Sequence, residues 1–89
     1  MGESVMEFNY KNLQTYRVYV NQSPYGICMM AHKCVVKPHA IVFYVVSSEF
    51  QIDWPIATFD TLTVETVVLT TGPLMSRTET IFENTVRVA

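Results

Sequence analysis

The sequence predicts an all-β fold: a small antiparallel β-sandwich or barrel of about seven short strands, with room for one short helix. Composition is the first reason, because the 89 residues include 13 Val, 5 Ile and 10 Thr but only 4 Ala and 4 Leu. β-branched side chains lose rotamer freedom in a helix and pack well on a pleated sheet. Alternation is the second reason, since several short runs place apolar residues at every other position, as half-buried strands do.

The first half of the chain contains three predicted strands. Alternating apolar residues predict strands at 6–10 and 16–20, joined by a loop or short helical turn over 10–15. A break at Ser23-Pro24-Tyr25-Gly26 follows, with Pro and Gly at the positions that a type I turn favours. We expect one straight strand after it, which carries Cys28, His32 and Cys34 on a common face and ends before Pro38.

The middle of the chain predicts a central strand and a strand next to it. Residues 40–46 are apolar throughout, which is typical of a strand covered on both faces. Phe50, Ile52 and Trp54 alternate with polar residues, so we expect Trp54 to face the core. Pro55 should end that strand, because proline donates no hydrogen bond to a ladder.

The last third predicts two or three further strands. Val64, Thr66 and Val68 should share the core face of one strand, which Gly72-Pro73 closes. Residues 73–84 could open a helix, since proline is favoured in a first turn, but their threonines favour a strand. Alternation at 86–88 predicts a short final strand.

Length and charge bound the organisation of the molecule. A chain of 89 residues builds a single domain over 1–89, and its 6 basic and 8 acidic residues disfavour a nucleic-acid partner. The longest apolar run, 40–46, is far shorter than a membrane helix, and no basic apolar leader precedes residue 8. We expect a soluble protein without a membrane partner, in the cytoplasm, or the host cytoplasm if the chain is viral.

The residues that could carry catalysis or bind metal form no recognised motif. Cys28, His32, Cys34 and His39 are the only cluster of metal-capable residues, and their spacing differs from the tight pairs of structural zinc sites. Cys34 with a His base lacks an orienting group, and three glycines cannot form a phosphate-binding loop. We therefore expect no enzyme activity, no metal and no cofactor, and two free thiols.

Aromatic and basic residues offer one candidate ligand site. Tyr19 and Arg17 alternate with the core positions of their strand, and a tyrosine beside an arginine can stack a base and hold a phosphate. With Tyr25, His32 and Lys33 they could form a site for a small nucleotide-like ligand at a subunit interface. The alternative is that these tyrosines cover a sheet face, because the ring is apolar and the hydroxyl tolerates water.

Uncharged surface favours a different function, an interaction module that works as a homo-oligomer. The stretches 18–32 and 66–76 carry no charged residue, and 63–71 carries only Glu65. Uncharged edge strands and large uncharged surfaces usually mark contacts. Residues 1–46 hold four basic and two acidic side chains, whereas 47–89 hold two basic and six acidic ones, which suits self-association.

A dimer is the default for this assembly, because two-fold symmetry is commonest. The partner is then the chain itself, with another protein as a further candidate. By association with other short β-proteins without motifs, we expect an accessory or structural protein of a virus or phage.

Overall fold

Seven β-strands form the described part of the chain, and the sequence predicts about this number. The structure, a computed structural model, describes residues 12–47 and 51–84. The strands are β1 (Gln14–Val20), β2 (Gly26–Ala31), β3 (Lys33–Val36), β4 (Ala40–Val46), β5 (Asp53–Asp60), β6 (Val64–Thr71) and β7 (Arg77–Glu83). The single helical element in the described ranges is a 3-10 turn at Pro73–Met75. The predicted strands at 6–10 and 86–88, and Phe50, lie outside the described residues.

The strands form two open antiparallel sheets, so the sandwich alternative is confirmed rather than the closed barrel. The larger sheet has the order β2-β1-β6-β7 and the smaller one β3-β4-β5. His32 alone separates β2 from β3 and carries the chain from one sheet to the other. Its backbone N–H donates to the Tyr44 carbonyl over 2.8 Å, and its Nδ1 accepts from the Val46 N–H over 2.8 Å. These bonds fix the crossing against β4.

An apolar core fills the space between the two sheets. Its buried side chains come from four strands, β1, β2, β4 and β6: Tyr16, Val18, Ala31, Ile41, Phe43, Val64 and Val67. Phe43 lies at its centre, edge to face with Tyr16 across the sheets at 5.2 Å between ring centroids, and with Phe59 at 5.9 Å. The predicted central strand 40–46 is thus confirmed as β4, the middle strand of the smaller sheet.

A β-bulge reverses the predicted faces of β6. Val64 is buried as expected, but Val67 and Leu69 supply the remaining core contacts, so the prediction of Val68 in the core is wrong. The register pairs Tyr19 with Thr66 and Val20 with Val64, which leaves Glu65 as an extra residue. One extra residue moves every later side chain to the opposite face.

Two predictions about β5 are also wrong. Pro55 lies within the strand, which is possible because β5 is an edge strand and needs no ladder bond on one side. Trp54 is 40% exposed and lies outside the core cluster, to which β5 contributes Ala57 and Phe59. The register pairs Trp54 with Val45 near the end of the sheet. The alternation of apolar and polar residues therefore correctly indicated a strand here, but it did not predict how much of the Trp54 side chain is exposed.

The turns confirm most of the predicted breaks. Between β1 and β2, Ser23 donates its N–H to the Val20 carbonyl, and the Ser23 hydroxyl oxygen accepts from the Tyr25 N–H. Gly72 follows β6 with a φ of 83°, a conformation that favours glycine. The strand alternative for the segment after Pro73 is confirmed, since β7 occupies Arg77–Glu83.

Candidate functional site

Arg17 and Tyr19 lie together on the outer face of the larger sheet. They alternate with the buried Tyr16 and Val18, and the register places them opposite Cys28 and Gly26 of β2. A Cβ added at Gly26 would lie 2.5 Å from Arg17 Cγ and 3.0 Å from Tyr19 Cε1, so both side chains lie across this glycine. Hydrogen bonds to Tyr19 and then to Cys28 raise the pKa of Arg17.

The other three residues of the predicted ligand site lie elsewhere. Tyr25 is 78% exposed in the loop before β2. His32 is at the crossing between the sheets, where its Nδ1 accepts the Val46 N–H. Lys33 belongs to the smaller sheet, forms a salt bridge with Asp53 and lies 5.5 Å from the Tyr44 ring centroid. The structure therefore brings Arg17 and Tyr19 together and gives His32 and Lys33 structural partners.

The predicted alignment of Cys28, His32 and Cys34 on one straight strand is wrong. The chain changes sheets at His32, so Cys28 lies in the larger sheet and Cys34 in the smaller one. Within the described ranges no group of three or more His, Cys, Asp or Glu side chains could hold a metal ion.

The two free thiols have different surroundings. Cys28 is exposed on the outer face of β2, whereas Cys34 packs against the core. Burial raises the pKa of the Cys34 thiol to about 11, so this thiol is protonated at neutral pH. A protonated thiol is a poor nucleophile, which disfavours the catalytic alternative that Cys34 and His39 suggested.

Among residues 12–47 and 51–84 the two sheets have four edges, and three of these edges carry features that block strand addition. β7 has Arg77, Glu79 and Glu83 together with a register shift opposite Val67 and Val68. β5 contains Pro55 between its acidic ends, and β3 is only four residues long and begins with Lys33. Charges, proline, bulges and shortness are the usual means by which proteins protect sheet edges.

The fourth edge, β2, has none of these features. Its six residues Gly26–Ala31 contain no charge and no proline, and its pairing with β1 is regular. Cys28 is exposed, and Ile27 and Met30 are 41% and 56% exposed. The other weakly charged segment, 63–71, forms the interior strand β6, whose two sides are paired with β1 and β7. Sequence reasoning named both segments but could not tell which one is an edge.

The face beside this edge is almost free of charge. The registers place twelve residues on the outer face of the larger sheet in three rows. They are Met30, Thr15, Thr70 and Thr78; then Cys28, Arg17, Val68 and Thr80; then Gly26, Tyr19, Thr66 and Glu83. Arg17 and Glu83 are the only charged residues among them, so the open edge adjoins a neutral face.

Comparison of the chain with protein-family models, with curated protein sequences and with solved structures found no match. No helix in the described residues is long and apolar enough to cross a membrane. The function must therefore be argued from the surface itself.

Proposed function

We propose that this chain is a non-enzymatic interaction module that works as a homo-oligomer, with a dimer as the default. The observation that carries the proposal is the edge strand β2, which alone among the four described edges is uncharged, free of proline and regular. An edge strand presents unpaired N–H and C=O groups, and proteins normally protect such a strand. Pairing with a second strand satisfies those groups and covers Ile27 and Met30.

The size of this edge indicates a modest affinity. Six residues extend over about 20 Å, so strand pairing alone buries less than the roughly 800 Å² per partner of a standard interface. Each backbone hydrogen bond contributes about 0.5–1.5 kcal/mol, and the exposed apolar side chains add to it. We expect a dissociation constant in the micromolar range, which corresponds to about −8 kcal/mol.

A module of this kind suits an accessory or structural protein of a virus or phage, and a cytoplasmic location would keep its two thiols reduced. What supports the viral role and the cytoplasmic location is the small all-β fold and the two free cysteines.

Sedimentation velocity tests the assembly. We expect the mass to rise from about 10 to about 20 kDa as the protein concentration passes through the micromolar range. Because β2 carries no charge, about 1 M salt should leave the dimer intact, since salt screens charge pairs but not apolar contacts. A monomer at all concentrations would refute the oligomer. Dissociation by salt alone would show that a charged contact, and not the uncharged edge, holds the dimer together.

A second candidate function is binding of a small nucleotide-like ligand at the subunit interface. The observation that favours it is the placement of Arg17 and Tyr19, whose side chains lie across Gly26 at the open edge. A ligand held there should raise the melting temperature of the wild-type protein but not of Arg17→Ala. A screen of nucleotides that gives equal shifts in both proteins would contradict this site.

A further inference from the structure

We propose that two copies of this chain pair through β2 in an antiparallel register centred on Cys28, which joins the two larger sheets into one eight-stranded sheet. This inference rests on the proposed self-association and specifies its surface, its symmetry and its register. The partner is a second copy because β2 can pair with itself without bringing any charged residues of the two strands together. Symmetric pairing also closes the assembly, because the uncharged edge of each copy is used up.

Strand geometry restricts the possible registers. Residues directly opposite each other in an antiparallel pair lie on the same face of the sheet. When the two outer faces are continuous, each of Gly26, Cys28 and Met30 must lie opposite one of these three residues in the second copy. Ile27, Met29 and Ala31 form the second such set, on the other face. The two-fold axis can then pass between two copies of Cys28 or two copies of Met29 with five residue pairs formed.

Gly26 favours the register centred on Cys28. In that register Met30 of the second copy lies opposite Gly26, so that it meets the Arg17 and Tyr19 side chains of the first copy, which cover this glycine. The Tyr19 ring already leans over Gly26, so the Met30 thioether can reach it, and sulfur–aromatic contacts of this kind are favourable. Ile27 lies opposite Met29 on the other face, again an apolar pair. The register centred on Met29 leaves Gly26 outside the paired residues.

The Arg17 side chains do not oppose this arrangement. Arg17 is one strand away from β2, so two copies of β2 lie between the two arginine positions. Three strand spacings separate the two Arg17 backbone positions by about 14 Å, and each side chain extends from there towards Cys28. Both side chains are exposed, so water and salt weaken the repulsion between their charges.

Cys28 gives this register a chemical signature. Directly opposite residues have Cα atoms about 4.5–5.5 Å apart, within the range that a disulfide spans. In the register centred on Met29 the two Cys28 positions are shifted by two residues, about 7 Å along the strand, and a disulfide would not form without movement. The proposed register is thus the one in which two exposed Cys28 thiols meet.

Thiol oxidation of full-length variants tests the register. Diamide oxidises two thiols to one disulfide and is itself reduced to the hydrazine, and covalent dimer is measured on non-reducing gels. Cys34→Ser leaves only Cys28, and this variant should form covalent dimer about a hundredfold faster than unpaired exposed thiols at the same micromolar concentration, because pairing raises the effective thiol concentration to the millimolar range. The Cys34→Ser, Ile27→Lys double variant keeps the same thiol and should lose that advantage.

The register control moves the thiol by one residue. In a protein with Cys28→Ser and Cys34→Ser, the added Met29→Cys substitution should cross-link slowly. Faster cross-linking through position 29 than through Cys28 would overturn the register. Sedimentation of each reduced variant separates the two proposals: a dimer whose Cys28 thiols do not cross-link refutes the register centred on Cys28 but not self-association, whereas a monomeric wild-type protein refutes both.

Discussion

Phe43→Leu should destabilise the protein strongly, because Phe43 is the fully buried centre of the core. Leucine keeps most of the apolar surface but loses the edge-to-face contacts with Tyr16 and Phe59. Such aromatic pairs contribute about 0.5–1.5 kcal/mol each, which gives about 1–3 kcal/mol for the two. The unfilled part of the ring volume adds to this cost, so we expect about 2–4 kcal/mol in total.

That loss is large against the total free energy of unfolding, which is about 4–13 kcal/mol for a chain of this length. Urea unfolding at one fixed protein concentration is the assay, because self-association would otherwise shift the midpoint. With a slope of about 1 kcal/mol per molar urea, the midpoint should fall by about 2 M or more. Leu62→Ala is the control, since Leu62 is 76% exposed and its truncation should cost at most about 0.5 kcal/mol. Equal midpoints for the two variants would refute the placement of Phe43 at the core centre.

Three other predictions follow from burial and backbone geometry. Trp54→Ala should cost less than the roughly 3–5 kcal/mol of a fully buried aromatic, since Trp54 is 40% exposed; a larger cost together with blue-shifted fluorescence would contradict this. The raised pKa of Cys34, about 11, means that the native protein holds the thiol proton more tightly than the unfolded chain, so stability is full below about pH 9 and falls as pH rises towards 11. Urea midpoints at pH 8 and pH 10 should fall less in Cys34→Ala than in Cys28→Ala, and equal falls would refute the assignment. Gly72→Ala should cost about 1–3 kcal/mol, because a φ of 83° with a ψ of 175° is a conformation almost restricted to glycine, and an unchanged melting temperature would contradict that backbone.

Much of the fold was predictable because local pattern and tertiary structure agree along several strands. β1 has the predicted faces, with Tyr16 and Val18 buried and Arg17 exposed, and β4 has the predicted bounds. β6 shows where the pattern fails. Residues on each side of Glu65 alternate between the two faces of the sheet as the pattern predicts. The bulge at Glu65 itself depends on pairing with β1, a strand more than 40 residues earlier, so the local pattern does not show it.

The candidate site was harder to predict than the fold. The uncharged stretch 18–32 indicated a contact surface, but two such stretches existed and only the sheet order shows that β2 is an edge and β6 is not. The change of sheets at His32 has no sequence signal, because no glycine or proline lies between Cys28 and Cys34. Hydrogen bonds with Tyr44 and Val46 of β4 fix His32 at that crossing, and the local sequence around His32 does not show that β4 lies beside it.

The central claim is that the uncharged edge β2 holds two copies together, and one pair of lysine substitutions tests it most directly. Ile27 and Ile56 are both isoleucines on edge strands, 41% and 46% exposed, but Ile27 lies on β2 and Ile56 on the proline-containing β5. A lysine on an edge strand blocks strand addition. In sedimentation velocity at tens of micromolar, we predict that Ile27→Lys is a folded monomer while Ile56→Lys dimerises like the wild-type protein. Dimers of equal stability in both variants would contradict the account.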